Sequence, residues 1–410
     1  MLTTVTVILF ISLLKGHLVI GCVIPCACSG RAVDCSSKNL TEIPPNIPSN
    51  TTELNLSGNN LTSLLPNDFS DLTSLMRLKL NDNNLESLPD GLLSTNTKLQ
   101  SLDLSGNNLI SVPENLLSMT TDLRVLQLSD NNIISLPDGL LSTTTNLNSL
   151  KLNDNNLESL PDGLLSTNTK LQSLDLSGNN LISVPENLLS MTTDLRVLYL
   201  QNNKLESLPE GLLSTTTVLQ LIYLQNNKLE SLPEGLLSTT TVLQLIILQN
   251  NKLESLPEGL LSTTTVLQVI DVSDNNIESL PEGLLSTTTS LQFMNISVNP
   301  LKCCLMKNVT KRLTTIDFVL GSCEDFNTTT EIKSFNTSDC KIPVDGGWSI
   351  WSNSSCSVSC GNGVITKTRT CDNPTPSDGG LNCIGSETET SFCNLRKCHS
   401  KSCSHSKKAR

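Results

Sequence analysis

The sequence predicts an α/β solenoid: short parallel strands stacked into an inner sheet, one strand per turn, with disulfide-rich ends and a small disulfide-rich module beyond. Three observations predict it. Apolar positions recur every 24 residues, at Leu54, Leu78, Leu102, Leu126, Leu150, Leu174, Leu198, Ile222, Ile246, Ile270 and Met294. Each opens a short alternation of apolar and polar residues, as a half-buried strand requires. All 15 cysteines lie outside this region, between Cys22 and Cys35 and between Cys303 and Cys403. A fixed period of this kind marks a repeat architecture and overrides the two or three domains that a length of 410 residues suggests.

Each part of the unit has a physical role. Leu102 and Leu104 bury one face of a strand, and strands of successive turns stack about 4.8 Å apart. Asn107, with its equivalents from Asn59 to Asn299, stands where the chain bends inward, placed to satisfy loop backbone groups hidden by stacking. Leu109 and Leu116 fill the interior, and Pro113 begins the outer arc. No turn buries its own apolar edges, so neighbours stabilise one another. The outer arc changes along the chain. "FSDLTSL" at Phe69–Leu75 becomes "LLSTTTVL" in later turns, placing Thr216, Thr240 and Thr264 where a buried leucine is expected. A wetter outer face follows as an expectation. Residues Tyr199–Ile222 recur unchanged as Tyr223–Ile246, and Leu78–Leu126 recurs as Leu150–Leu198. Such identity marks duplication of whole units, in the gene or in the assembly of the sequence.

The pattern "LxLxxNxL" over residues 53–301 resembles the leucine-rich repeat family, which implies a horseshoe with a parallel inner sheet. An open solenoid exposes an apolar edge at each end. Cys22, Cys26, Cys28 and Cys35, within residues 22–52, resemble the N-terminal cysteine-rich cap of extracellular members of that family. Cys303, Cys304, Cys323 and Cys340, within residues 302–340, resemble the C-terminal cap. This second match departs from the family pattern in its adjacent cysteines and in Leu301 where a Trp is usual. The resemblance implies the pairs Cys22–Cys28, Cys26–Cys35, Cys303–Cys323 and Cys304–Cys340. The capped turns are similar to those of Slit-type proteins and of the variable lymphocyte receptors of jawless vertebrates, the latter lacking the module that follows here.

From Gly346 the composition changes. "GGWSIWSNSSCSVSCGNGVITKTRTC", with Cys383, Cys393 and Cys398, resembles a thrombospondin type-1 repeat over residues 346–398. The family implies three extended strands held by layers of Trp and cation, with Trp348 and Trp351 stacking on Lys367 and Arg369. It also implies Cys356–Cys393, Cys360–Cys398 and Cys371–Cys383, C-mannosylation at Trp348 and O-fucosylation at Ser359. Cys403 is left over in the basic tail, residues 399–410, as an intermolecular disulfide or a free thiol.

The first 21 residues carry an apolar run of about ten, shorter than the roughly 20 that a membrane span needs. They read as a signal peptide, residues 1–21, cleaved after Gly16 or Gly21. With the cysteine usage, this predicts a secreted, extracellular protein. The three histidines, His17, His399 and His405, fall in the signal segment and the tail. Nucleophile–histidine catalysis therefore has no base in a folded domain. There is no phosphate loop and no HExxH helix. The expectation is a binding protein, with no enzyme activity, no cofactor and no metal site.

Where ligand would bind is read from the residues flanking the buried strand positions. In one row the polar Lys79, Asp103, Gln127, Lys151 and Asp175 give way to Tyr199, Tyr223 and Ile247. The neighbouring row runs Val197, Leu221, Leu245, Val269 and Phe293. Contiguous exposed apolar surface marks an interaction site; the alternative is that these residues only stiffen the sheet by cross-strand packing. Sequons at Asn39, Asn50, Asn55, Asn60, Asn295, Asn308, Asn327, Asn336 and Asn353 frame the solenoid and leave its middle bare. Residues 53–301 hold 27 acidic and 10 basic residues, against 5 and 9 in residues 341–410. The acidic solenoid argues against nucleic acid and anionic membrane as ligands. Lys367, Arg369, Lys397, Lys401, Lys407, Lys408 and Arg410 form a candidate site for sulfated glycosaminoglycan. The expected function is recognition of an extracellular protein or microbial surface in innate defence, on the concave face. The alternative is an adhesion or guidance factor of the extracellular matrix.

Overall fold

The computed structural model describes residues 22–325, 328–337, 340, 344–378 and 380–397. The expected signal segment, the basic tail with Cys403, and the single positions Asn327 and Cys398 lie outside the described residues. The chain divides into two compact units between Phe335 and Asn336.

The first unit is built on one 14-stranded sheet whose strands follow chain order. Strands β1 (Ala27–Ser29) and β2 (Ala32–Asp34) form an antiparallel hairpin. From β2 onward every pairing is parallel, through β3 (Glu53–Asn55), β4 (Arg77–Lys79), β5 (Ser101–Asp103), β6 (Val125–Gln127), β7 (Ser149–Lys151) and β8 (Ser173–Asp175). The sheet continues with β9 (Val197–Tyr199), β10 (Leu221–Tyr223), β11 (Leu245–Ile247), β12 (Val269–Asp271), β13 (Phe293–Asn295) and β14 (Phe318–Leu320). In each repeat strand the middle residue is buried and its two neighbours face the inner surface. The outer arcs are chains of turns, and the one α-helix among the described residues, α1 (Lys307–Leu313), follows the last repeat.

Asparagine holds each turn to the one before it. Asn107 Oδ1 accepts from the Leu85 N–H of the preceding turn at 3.0 Å. Its Nδ2 donates to Leu80 O across the turn boundary and to Leu104 O and Ser105 O in its own turn. The same set recurs at Asn155, Asn203 and Asn251, among others. All ten residues immediately before these asparagines, from Gly58 to Asp274, are left-handed, with φ between 53° and 64°. They are Gly, Asp or Asn, the types that tolerate this conformation. Val298 takes the same φ of 53° and breaks the rule.

The expectation of a wetter outer face is corrected. Thr216, Thr240 and Thr264 are fully buried. Each hydroxyl donates to a carbonyl three residues back, on Leu213, Leu237 and Leu261, at 2.9–3.1 Å. A threonine that satisfies its own hydroxyl within the turn leaves its methyl to pack where a leucine would stand. The preceding threonines, Thr215, Thr239 and Thr263, reach back one turn to Leu189, Leu213 and Leu237 O.

At the ends, Cys22 pairs with Cys28, Cys26 with Cys35, and Cys303 with Cys323. Cys304 and Cys340 are each disulfide-bonded as well. Strands β15 (Ser322–Asp325) and β16 (Thr328–Glu331) form a separate antiparallel pair beside α1 in sequence.

In the second unit β17 (Asn362–Thr368) and β18 (Thr388–Asn394) form an antiparallel ribbon. The segment from Trp348 to Ser352 runs along β17 as a third, irregular strand, through Ser349 N to Thr370 O and Ser352 N to Thr368 O. Cys356–Cys393 and Cys371–Cys383 tie the ends, and Cys360 is disulfide-bonded. The expected stack is corrected in one respect. The Arg369 guanidinium lies over both indoles, 4.2 Å from Trp348 and 4.4 Å from Trp351, and its Nε donates to Ser386 O. Lys367 takes no part among the described residues. It sits two residues back along β17, in register with Glu389, and one planar cation already fills the gap between the two rings.

Candidate concave binding face

The parallel register brings the two expected rows together. Val197, Leu221, Leu245, Val269 and Phe293 lie side by side on β9–β13, each paired with the next. Tyr199, Tyr223 and Ile247 form the adjacent row on β9–β11. All eight are partly buried, packed against their neighbours yet open to the inner surface. The tyrosine rings stack with centroids 4.9 Å apart and planes within 10°. Burial first, then Tyr223 and Asp175, pushes the Tyr199 phenol above its usual range, so it stays a neutral hydrogen-bonding group.

Sequence reasoning missed the end of this surface. Strand β14 sets Phe318 in register with Phe293 and Leu320 in register with Asn295. Phe318 is 66% exposed and Leu320 49%. The apolar row thus covers six adjacent strands and runs onto β14, beyond the last repeat. The signal for it was present: an apolar "FVL" flanked by Asp317 and Gly321, one residue out of period.

Charge on the inner face is arranged in a way the composition does not reveal. Asp34, Asp103, Asp175 and Asp271 each accept both the N–H and the hydroxyl of the serine two residues on, with hydroxyl distances of 2.6–2.7 Å. Asn55 and Asn295 do the same with Ser57 and Ser297. Those Ser36 bonds hold the Asp34 carboxyl below its ordinary range. Flanking the apolar rows, Gln220, Gln244, Gln268 and Gln292 supply uncharged backbone-anchored neighbours.

The other expected residues fall elsewhere. Asn39, Asn50, Asn60, Asn308, Asn336, Asn353 and Ser359 are exposed, and Trp348 is partly buried in its stack. Of the candidate polyanion residues, Arg369 is committed to the two indoles and Lys397 is exposed. Lys401, Lys407, Lys408 and Arg410 lie outside the described residues. Among the described residues no group of three or more His, Cys, Asp or Glu is placed to hold a metal ion, and no helix is long and apolar enough to cross a membrane.

The repeat units, compared with one another, locate their own variation. Ile247–Ile270 differs from the identical pair before it at two positions, Ile247 and Val269. Both lie on the inner face, in the two rows described. The outer arc Glu254–Thr265 recurs unchanged as Glu278–Thr289.

Known proteins share these features. The leucine rich repeat family matches residues 49–110, 73–133, 121–181, 193–253 and 241–301, and its two-copy form matches 169–214. The leucine rich repeat N-terminal domain matches residues 21–48, and the thrombospondin type 1 domain residues 346–398. Hemicentin-1 of Mus musculus is 50% identical over 70 residues, 17% of this chain and 1% of that protein. Thrombospondin-2 of Gallus gallus is 45% identical over 83 residues, 20% of this chain and 7% of that protein. The chain therefore spans a small fraction of the curated relatives it matches. A chain of the Toll–Spätzle complex of Drosophila superposes with a TM-score of 0.57, covering 76% of this chain and 55% of its own, at 21% identity. That likeness concerns the fold.

Proposed function

Because the chain belongs to the leucine-rich repeat family and carries a thrombospondin type 1 domain, we propose that it is a secreted recognition protein of the extracellular space. Its ligand, a protein or a microbial surface, seats on the inner face across β9–β14. One observation carries this reading: the unit Ile247–Ile270 differs from the identical pair before it at two positions, Ile247 and Val269, and both lie on that face. Duplication copies the scaffold, and the substitutions retained on the copies alter the surface a ligand would touch. The apolar rows supply area for such a contact, and the thrombospondin module supplies a second, chemically distinct end. Both families are binding modules.

The test is an array of extracellular proteins and microbial glycans probed with the secreted chain and with two variants. Tyr223→Ala with Phe293→Ala is expected to lose the ligands that the parent chain binds. Thr217→Ala with Thr241→Ala, on the outer arc, is expected to keep them. Microbial ligands favour defence and host matrix or receptor ligands favour adhesion. Loss through the outer-arc variant alone would refute the proposed site.

A further inference from the structure

At the N-terminal end of the same inner face the β1–β2 hairpin walls a cleft of about 440 Å³. Ala27, Ala32 and Val33 line one side, and Arg77, Lys79 and Asn55 stand on the other. The volume lies within the range of small-ligand sites. The Asp34 carboxylate accepts from Ser36, Glu53 pairs with Arg77, and Asn55 Oδ1 accepts from Ser57 N and Oγ at 3.1 and 2.7 Å. Among the described residues, neither Lys79 Nζ nor Asn55 Nδ2 has a hydrogen-bond partner, and the Lys79 charge acts on the nearby Asp34 carboxyl. Lys79 Nζ and Asn55 Nδ2 are thus free donors beside a small apolar wall.

Asn55 opens the sequon Asn55–Leu56–Ser57. Its Oδ1 is fixed by the turn, so Nδ2 is the free arm of the amide. Asn295, its counterpart in the same row, differs in this respect. There Nδ2 donates to Asp271 Oδ2 at 3.0 Å and Ser273 Oγ at 3.1 Å. A glycosylated amide keeps a single N–H, so sugar on Asn295 forfeits at least one of those bonds, whereas sugar on Asn55 forfeits none.

We infer that the cleft is the seat of the chain's own Asn55-linked glycan: the first N-acetylglucosamine lies between the hairpin and Lys79, and the cleft is an intramolecular carbohydrate site. In the transfer, Nδ2 of the unfolded chain attacks C1 of an oligosaccharide carried on a lipid pyrophosphate. The C1–N bond forms, the C1–O bond breaks, the lipid pyrophosphate departs, and Nδ2 loses one proton. Folding then closes the hairpin over the stem. Hydroxyl and acetamido oxygens meet the free Nζ of Lys79, and the acetamido methyl meets Ala27 and Ala32. The glycan fills the charged end of the inner face and leaves the apolar strands β9–β14 open. The inference rests on the proposed passage through the secretory pathway.

The experiment is site-resolved release of N-glycans from the full chain, secreted by a eukaryotic cell line, using an amidase that cleaves the Asn–sugar bond. Release is followed by mass spectrometry under native and denaturing conditions. Asn39 and Asn60, both exposed, are internal references. The expected result is an occupied Asn55 whose native release is about tenfold slower than at the references, the protection that about one net hydrogen bond supplies. Denaturation abolishes the difference, and Lys79→Ala reduces it. Occupied references with a bare Asn55, or an Asn55 glycan released natively at the reference rate, overturns the inference and leaves secretion standing. A chain that the cells retain without any glycan at its sequons overturns both.

Discussion

Tyr199 and Tyr223 stack face to face on adjacent strands, 4.9 Å between centroids, one strand spacing apart. Register alone dictates this geometry, since parallel strands repeat every 4.8 Å or so. The two facing ring surfaces are consumed in the stack, which leaves the ring edges, hydroxyls and outer faces for a ligand. An aromatic ladder of this kind is rigid before binding and loses little side-chain entropy on contact.

Tyr199→Ala with Tyr223→Ala is therefore expected to weaken ligand binding at least tenfold, about 1.4 kcal/mol. Surface plasmon resonance against the ligand identified on the array measures it. Far-ultraviolet circular dichroism should be unchanged, because the buried residues Leu198 and Ile222 carry the strands. Unchanged affinity assigns the ladder a purely structural role.

Asn107→Ala removes one acceptor and three donations from a buried junction between turns. The Leu85 N–H and the facing carbonyls lose their partners, and a single buried unsatisfied group costs about 1–3 kcal/mol. A loss of about 3 kcal/mol in urea denaturation is expected, with hydrogen exchange accelerating first in the turns on either side. A loss confined below about 0.5 kcal/mol would mean that water replaces the amide.

Val298 is a β-branched residue held at φ 53° and 73% exposed, where every equivalent turn has Gly, Asp or Asn. The left-handed conformation costs such a residue about 1–2 kcal/mol. Val298→Asn should accordingly stabilise the C-terminal turns by about 1 kcal/mol, seen as a higher urea midpoint. A lower midpoint would show that the valine side chain makes a contact worth more than the strain.

Asp130 is held above its ordinary pKa by burial, with Asp154 and Asp82 adding repulsion. A carboxyl whose folded pKa is raised favours the fold when protonated. Stability from this group is thus present in acid and falls as pH rises from the unfolded value, about 3.9, through the folded one. Asp130→Asn should raise stability at pH 7 by about 0.5 kcal/mol or less, the scale of solvent-screened charges. The gain should vanish near pH 3. An equal gain at both values would place the effect in the left-handed backbone and not in the charge.

The protein has two tryptophans, Trp348 and Trp351, and both sandwich Arg369. Intrinsic tryptophan fluorescence therefore reports on the second unit alone. Arg369→Ala removes two cation–π contacts, each about 0.5–2 kcal/mol, and the bond to Ser386 O. A red-shifted emission and a lower unfolding midpoint for this unit are expected, and Arg369→Lys should not restore them. Native emission in the alanine variant would show that the disulfides alone hold the rings.

The legibility of this fold follows from its periodicity. Any feature repeated every 24 residues was readable: Leu102 and its equivalents as strand centres, Asn107 as the junction, Tyr199 and Tyr223 as neighbours. What escaped lies off the period or inside a side chain's local choices. Val319 sits 25 residues after Met294 and lacks the asparagine that follows other strands, so β14 and its Phe318 went unseen. Thr216 suggested hydration because a hydroxyl in a leucine position looks unsatisfied; its bond to Leu213 O is local and invisible to pattern. Lys367 and Arg369 share a strand face, and only the geometry of two rings around one planar cation separates them.

The central claim is that ligand contacts the inner face across β9–β14. Hydroxyl-radical footprinting of the full chain, with and without its bound ligand, tests it most directly. Tyr199, Tyr223, Phe293 and Phe318 are reactive side chains spaced along that surface. Protection of these four on binding, with Met119 and Met191 of the outer arcs unchanged, is the predicted result. Protection of the outer-arc methionines, with the four aromatics still reactive, would contradict it.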